Sequence, residues 1–118
     1  MIKPIKPIKT TNTKCRALVQ AKRTFKNSNG QLYGMWHNPC LYVVYSYGEH
    51  WPLFAWDGFA WYANTDKASV TTSHHYSYAH PHTEVRERNC DWMKHFVATG
   101  RNIFRQMDAF QTGIGLAA

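Results

Sequence analysis

The sequence predicts an α+β domain, with an antiparallel sheet of four or five strands over about residues 16–64 followed by helices over about 84–111. Two observations lead there. Between Arg16 and Asn64 the apolar residues alternate with period two and are punctuated by turn signals. From about Glu84 the spacing changes to three and four, through Trp92, Met93, Phe96, Val97, Phe104, Met107 and Phe110.

Taken in order, residues 1–12 read as a basic arm. Ile2-Lys3-Pro4, Ile5-Lys6-Pro7 and Ile8-Lys9-Thr10 form a threefold repeat. Proline at every third position disfavours both helix and ladder and favours extended chain, so this arm is expected to be mobile. Residues 13–118 are then a single domain. Its first strand is expected from Arg16 to Lys26, with Val19, Ala21 and Phe25 on one face. Asn29-Gly30 supplies the positive φ angles of a hairpin, and a strand over Leu32–His37 follows, stopped by Asn38-Pro39. Leu41–Tyr47 is dense in β-branched and aromatic residues and is the strongest strand signal. Pro52–Trp56 and Phe59–Ala63 flank Asp57-Gly58, a two-residue hairpin turn. A short helix is expected to end near Ala79. Thr99-Gly100 then splits or bends the C-terminal helix, and a helix on one face of the sheet gives two layers.

The charge is asymmetric. Of the 118 residues, the first 26 hold Lys3, Lys6, Lys9, Lys14, Arg16, Lys22, Arg23 and Lys26 and no acid, while the remainder is near neutral, for a net +7. A cationic segment on a neutral body points to an acidic partner, because the fold itself gains nothing from self-repelling charge. The composition is 15% aromatic and 18% charged. No apolar run approaches the ~18 residues that span a bilayer, and the first residues lack a signal-peptide core, so a cytosolic protein with no membrane partner is expected. Cys15, Cys40 and Cys90 are too few and too widely spaced for a disulfide framework and are expected as free thiols.

Eleven aromatic residues lie between Tyr33 and Tyr62. A helix on one face leaves some of them outward. Those rings either pack across strands and into a homodimer interface, or present a stacking platform for nucleic-acid bases. Tyr45, Tyr47, Trp56 and Trp61 are the candidates, with the eight N-terminal cations neutralising phosphates. Lys67, Thr71, Thr72, Ser73 and His75 form a second candidate. Hydroxyls there either cap the helix that follows or, with Lys67 and His75, hold an anion at its N-terminus. No metal site is expected, since His80, His82, Cys90 and His95 match no metal-ligand spacing. Ser73 and His75 have no nearby acid to orient them, so no catalytic residue, enzyme activity or cofactor is assigned.

Val44-Tyr45-Ser46-Tyr47-Gly48, the Trp51-Pro52-Leu53-Phe54 strand, and Lys67-x-Ser69-Val70-Thr71-Thr72-Ser73-x-His75 together resemble a family of small bacteriophage proteins of unknown function. Ala68 and Tyr76 stand where that family usually has Tyr and Gln. The resemblance implies a viral origin and therefore a host cytoplasm, and it implies no activity. The function expected is a phage accessory protein that binds nucleic acid. The alternative is an inhibitor directed at a host enzyme or antiviral defence complex, with the aromatics as interface anchors.

Overall fold

The computed structural model describes residues 6–113, with side chains through Arg101. Seven strands form one mixed sheet in chain order. They are β1 (Ile8–Thr10), β2 (Phe25–Asn27), β3 (Leu32–Asn38), β4 (Leu41–Ser46), β5 (Pro52–Trp56), β6 (Trp61–Asn64) and β7 (Val85–Arg88). Strands β2 to β6 are an antiparallel meander, whereas β1 runs parallel to β2 and β7 parallel to β6. A parallel neighbour needs a crossover. Helix α1 (Cys15–Gln20) supplies it between β1 and β2, and α2 (Val70–Ala79) between β6 and β7. The last element, α3, spans Cys90–Gly113.

Helices cover both faces. Cys15 and Val19 of α1 and Ala79 of α2 pack with Phe25, Leu32, Tyr42, Val44, Phe54 and Trp61 on one side. Met93 and Val97 of α3 pack with Leu41, Val43, Tyr45, Ala55 and Tyr62 on the other. Strand β4 is therefore buried at every position, as a central strand between two layers must be.

The α+β class holds, but the expected sheet of four or five antiparallel strands and the two-layer arrangement are corrected to a seven-stranded mixed sheet in three layers. Residues 16–26 are not one strand. Cys15 and Val19 are buried four residues apart, the spacing of a helix face, while Ala21 and Arg23 are exposed. Within the expected arm, Ile8–Thr10 is a strand; Pro7 precedes it, and the Ile8 N–H donates to the Thr24 carbonyl at 2.9 Å. Met1–Ile5 lie outside the described residues. Val85–Arg88, expected as the start of a helix, is β7 instead. Helix α3 begins at Cys90, where the Asn89 side chain accepts the Trp92 N–H at 2.8 Å and Asp66 accepts the Cys90 N–H at 2.9 Å. It continues through Thr99-Gly100. Gly100 serves packing there, because a Cβ would stand 3.1 Å from Leu41 Cδ2.

Among the described residues, no helix is long and apolar enough to cross a membrane, and no three His, Cys, Asp or Glu side chains are grouped to hold a metal ion. The three cysteines are free.

Candidate functional site

The parallel ladder places Lys9 directly beside Lys26, and Lys26 in turn beside Tyr33. Phe25 turns into the core, so alternation puts Lys26 on the opposite face, where it is exposed. Lys6, Lys14 and Arg23 are exposed as well. Among the described residues the one ion pair joins Arg101 to Glu49 at 3.9 Å, so none of these N-terminal cations meets an acid.

Two members of the cationic set are engaged within the fold. Arg16 donates from Nε to the His80 carbonyl at 2.8 Å and from Nη2 to the Ser77 carbonyl. It thereby satisfies carbonyls at the end of α2, where the helix dipole also favours a cation. Lys22 has φ +53° and holds its Nζ 4.3 Å above the Trp56 ring. Its carbonyl accepts the Trp36 Nε1–H at 2.7 Å, and the next carbonyl, Arg23, accepts the Tyr42 hydroxyl at 2.6 Å. The turn leading into β2 is thus clamped by two aromatic side chains. Lys3 lies outside the described residues.

The expected aromatic platform is divided. Tyr45 is 1% exposed and Trp61 5% exposed, so neither offers a ring face to a base. They are buried because α3 and the α1–α2 layer cover both sides of the sheet. Trp56 is half-buried beneath Lys22. Tyr47 is 41% exposed and packs on His75, with ring centres 5.6 Å apart. Among the described residues the most exposed ring is Phe59, at 91%, which the alternation places on a β-strand. It sits in the β5–β6 turn, which runs further than Asp57-Gly58 because β6 begins only at Trp61. Arg86 and Arg88 were also missed. Arg88 lies 5.0 Å from the Trp92 ring, and Arg86 Nη1 donates to the Tyr62 hydroxyl at 3.2 Å. Their period-two spacing on β7 was the available signal.

The second candidate, at the start of α2, is built mainly as a cap. Ser69 Oγ accepts the Thr72 N–H at 3.1 Å. Its hydroxyl also donates to Thr72 Oγ1 at 3.1 Å. Thr72 and His75 turn inward and are buried. His75 Nδ1 shares a 2.8 Å hydrogen bond with Ser46 Oγ, and Ser46 reaches Thr72 Oγ1 at 3.5 Å. Burial, with His74 beside it, lowers the His75 pKa below its ordinary value. Two segments far apart in the chain, around Ser46-Tyr47 and Thr72–His75, therefore meet in one buried network. Ser46 and His75 have the contact of a nucleophile and its base. Both are under 2% exposed, so no substrate reaches the hydroxyl. A cavity of about 330 Å³ opens alongside, lined by Asn64, Asp66, Lys67, Thr72 and Ser73 among others. Lys67 and Thr71 are exposed and Ser73 is half-buried. The Asp66 carboxylate in this wall opposes an anion, and His75 faces away from it into the network.

No family model, no curated protein and no solved structure matches this chain.

Proposed function

We propose that this chain is a small phage accessory protein that binds nucleic acid through its phosphates along the β1–β2 edge. The observation that carries this reading is the register of Lys9 against Lys26. Adjacent strands lie ~4.8 Å apart, and like charges set side by side on a ladder destabilise it. No acid relieves that repulsion among the described residues. A polyanion does, and Lys6 and Arg23, exposed just before β1 and β2, add cations beside the pair. Phosphate contacts of this kind carry no sequence information, so binding has little sequence preference.

The test is fluorescence anisotropy of a labelled single-stranded oligonucleotide over a salt series. It compares the wild-type chain, the double variant Lys9→Ala/Lys26→Ala, and Arg16→Ala. Each phosphate neutralised on a single strand contributes ~0.7 to the slope of log affinity against log salt. The double variant lowers that slope by about 1.4. Arg16→Ala leaves it unchanged, because Arg16 is bound to α2 carbonyls. A double variant with the wild-type slope overturns the reading.

A further inference from the structure

The sheet ends on one side at β7, which has β6 as its neighbour and, among the described residues, no strand beyond it. In a strand the N–H and C=O of one residue point to the same side, and successive residues alternate. The Arg88 carbonyl accepts the Thr65 N–H at 2.9 Å, so the backbone groups of Arg88, and of Arg86 two residues before it, face β6. Val85 and Glu87 therefore direct theirs outward, where a further strand would lie. The side chains divide by face. Arg86 stands beside Tyr62 on the α3 side, and alternation puts Glu84 and Arg88 with it. Val85 stands beside Trp61 on the other side.

Charges of one sign, proline and shortness guard an edge strand against pairing. The β1 edge has such guards, with three residues, Pro7 before it and Lys9 at its centre. The charges of β7 are of both signs and complement themselves. A second copy related by a two-fold axis perpendicular to the sheet would pair antiparallel with β7 and keep each residue on its own face. Centred on Glu87, that pairing sets Glu87 against Glu87 and Arg86 against Arg88. Centred on Arg86, it sets two guanidiniums together. Centred on Val85, it sets Glu84 of each copy against Arg86 of the other, and no two carboxylates or guanidiniums meet. Residues that face β6 form the closer, non-hydrogen-bonded pairs, with Cα atoms ~4.5 Å apart, so both ion pairs fall at the closer spacing. Glu84 is exposed and pairs with no cation among the described residues. Arg86 is exposed too and keeps guanidinium donors free beyond the one it gives to Tyr62.

We propose that two copies of this chain join through β7, antiparallel about Val85, with Glu84 of each copy against Arg86 of the other. Val85 exchanges both backbone hydrogen bonds with the second copy's Val85. The edge fits a second copy better than a polyanion, because acids and bases balance along Glu84–Arg88. A pair of four-residue strands falls at the low end of interface sizes, so the dimer is weak and fills as concentration rises. Both copies keep their α3 faces on one side, which leaves the two Lys9–Lys26 pairs at opposite ends of a continuous sheet. Dimerisation here does not depend on what those pairs bind.

Sedimentation velocity of the full chain from micromolar to millimolar concentration tests this, together with amide hydrogen exchange followed by NMR. The expected result is a concentration-dependent dimer. The Val85 amide exchanges fast in the monomer and slowly in the dimer, while the Arg86 and Arg88 amides are protected in both. Glu84→Arg and Arg86→Glu each bring like charges together twice, and each weakens association about 4-fold or more. Mixed in equal amounts the two variants pair with each other, since one supplies two cations and the other two acids. Glu84 is exposed and makes no ion pair among the described residues, so Glu84→Arg folds. Circular dichroism checks Arg86→Glu, which gives up the bond to Tyr62. A chain that stays monomeric across the range overturns the proposal. So does a dimer that both variants leave intact, or a mixture no better associated than its components. Val85 exchange that is slow at every concentration means that the edge is covered within one chain, and overturns it as well. A monomer whose Val85 amide becomes protected when an unrelated β-strand peptide is added overturns the second copy in favour of another protein's strand.

Discussion

Protonation of His75 destabilises the fold, by an amount set by its surroundings. The ring is 1% exposed, hydrogen-bonded through Nδ1 to Ser46, covered by Tyr47 and followed from His74 in the same helix. Burial first, and the His74 charge second, lower its pKa below the ordinary 6.5. The unfolded chain therefore takes up the proton at a higher pH than the native one. The stability that neutral His75 contributes is fully present above about pH 6.5 and is lost as pH falls through the native value. Each proton taken up by the unfolded state alone changes stability by about 1.4 kcal/mol per pH unit. His37 and His80 have lowered pKa values too, in both cases mainly through burial. All three groups tilt the wild-type stability the same way below pH 6.5, with about three protons as the ceiling of the slope. Urea unfolding followed by tryptophan fluorescence at pH 8, 6 and 5 measures it. His75→Asn, which cannot titrate, reduces the slope, by at most one proton. Stability that is flat from pH 8 to 5, or a His75→Asn protein with the wild-type slope, refutes this account of the network.

Two further substitutions separate architecture from binding. Arg16→Ala leaves the Ser77 and His80 carbonyls without their charged donor and lowers stability by about 1–3 kcal/mol in urea unfolding, discounted toward the low end because the side chain is half-exposed. Arg16→Lys fails to restore this, since one ammonium does not reproduce the fork of a guanidinium. A wild-type midpoint for Arg16→Ala contradicts the capping role. Gly34→Ala, which in an open strand raises stability by ~0.5–1 kcal/mol, here lowers it by about 1–3 kcal/mol. The new Cβ meets the Tyr42 hydroxyl and lies 2.6 Å from Phe25 Cε1, and Tyr42 is tied to the Arg23 carbonyl. A raised midpoint contradicts that packing.

The parts of the fold legible in the sequence are those specified by neighbours along the chain. Strands β3, β4 and β5 carry alternation, β-branched residues and hairpin turns, and the expected bounds of β5 match the observed ones. Helix α2 ends at Ala79, as its composition indicates. The outer strands were not legible. β1 and β7 are three and four residues long and pair in parallel across a helix, so no adjacent turn announces them. Helix α1 reads as a strand in the sequence because Val19, Ala21 and Phe25 fit an alternating pattern, while its partners in α2 lie far along the chain. That error left the face that holds Trp61 uncovered in the expected architecture, whereas Tyr45 lies on the face that α3 covers. At the candidate site, the uncompensated cations were legible because charge asymmetry needs no tertiary information. The pairing of Lys9 with Lys26, the capture of Arg16 by α2 and the joining of Ser46 to His75 depend on long-range contacts.

The central claim is that the cations left unpaired along β1 and β2 serve a polyanion. It is tested most directly by the affinity of the wild-type chain for a labelled single strand as salt rises. The account predicts binding at low salt and a log–log slope steeper than about −1.4, the value set by Lys9 and Lys26 alone on a single strand. No binding at low salt, or an affinity that high salt leaves unchanged, contradicts it.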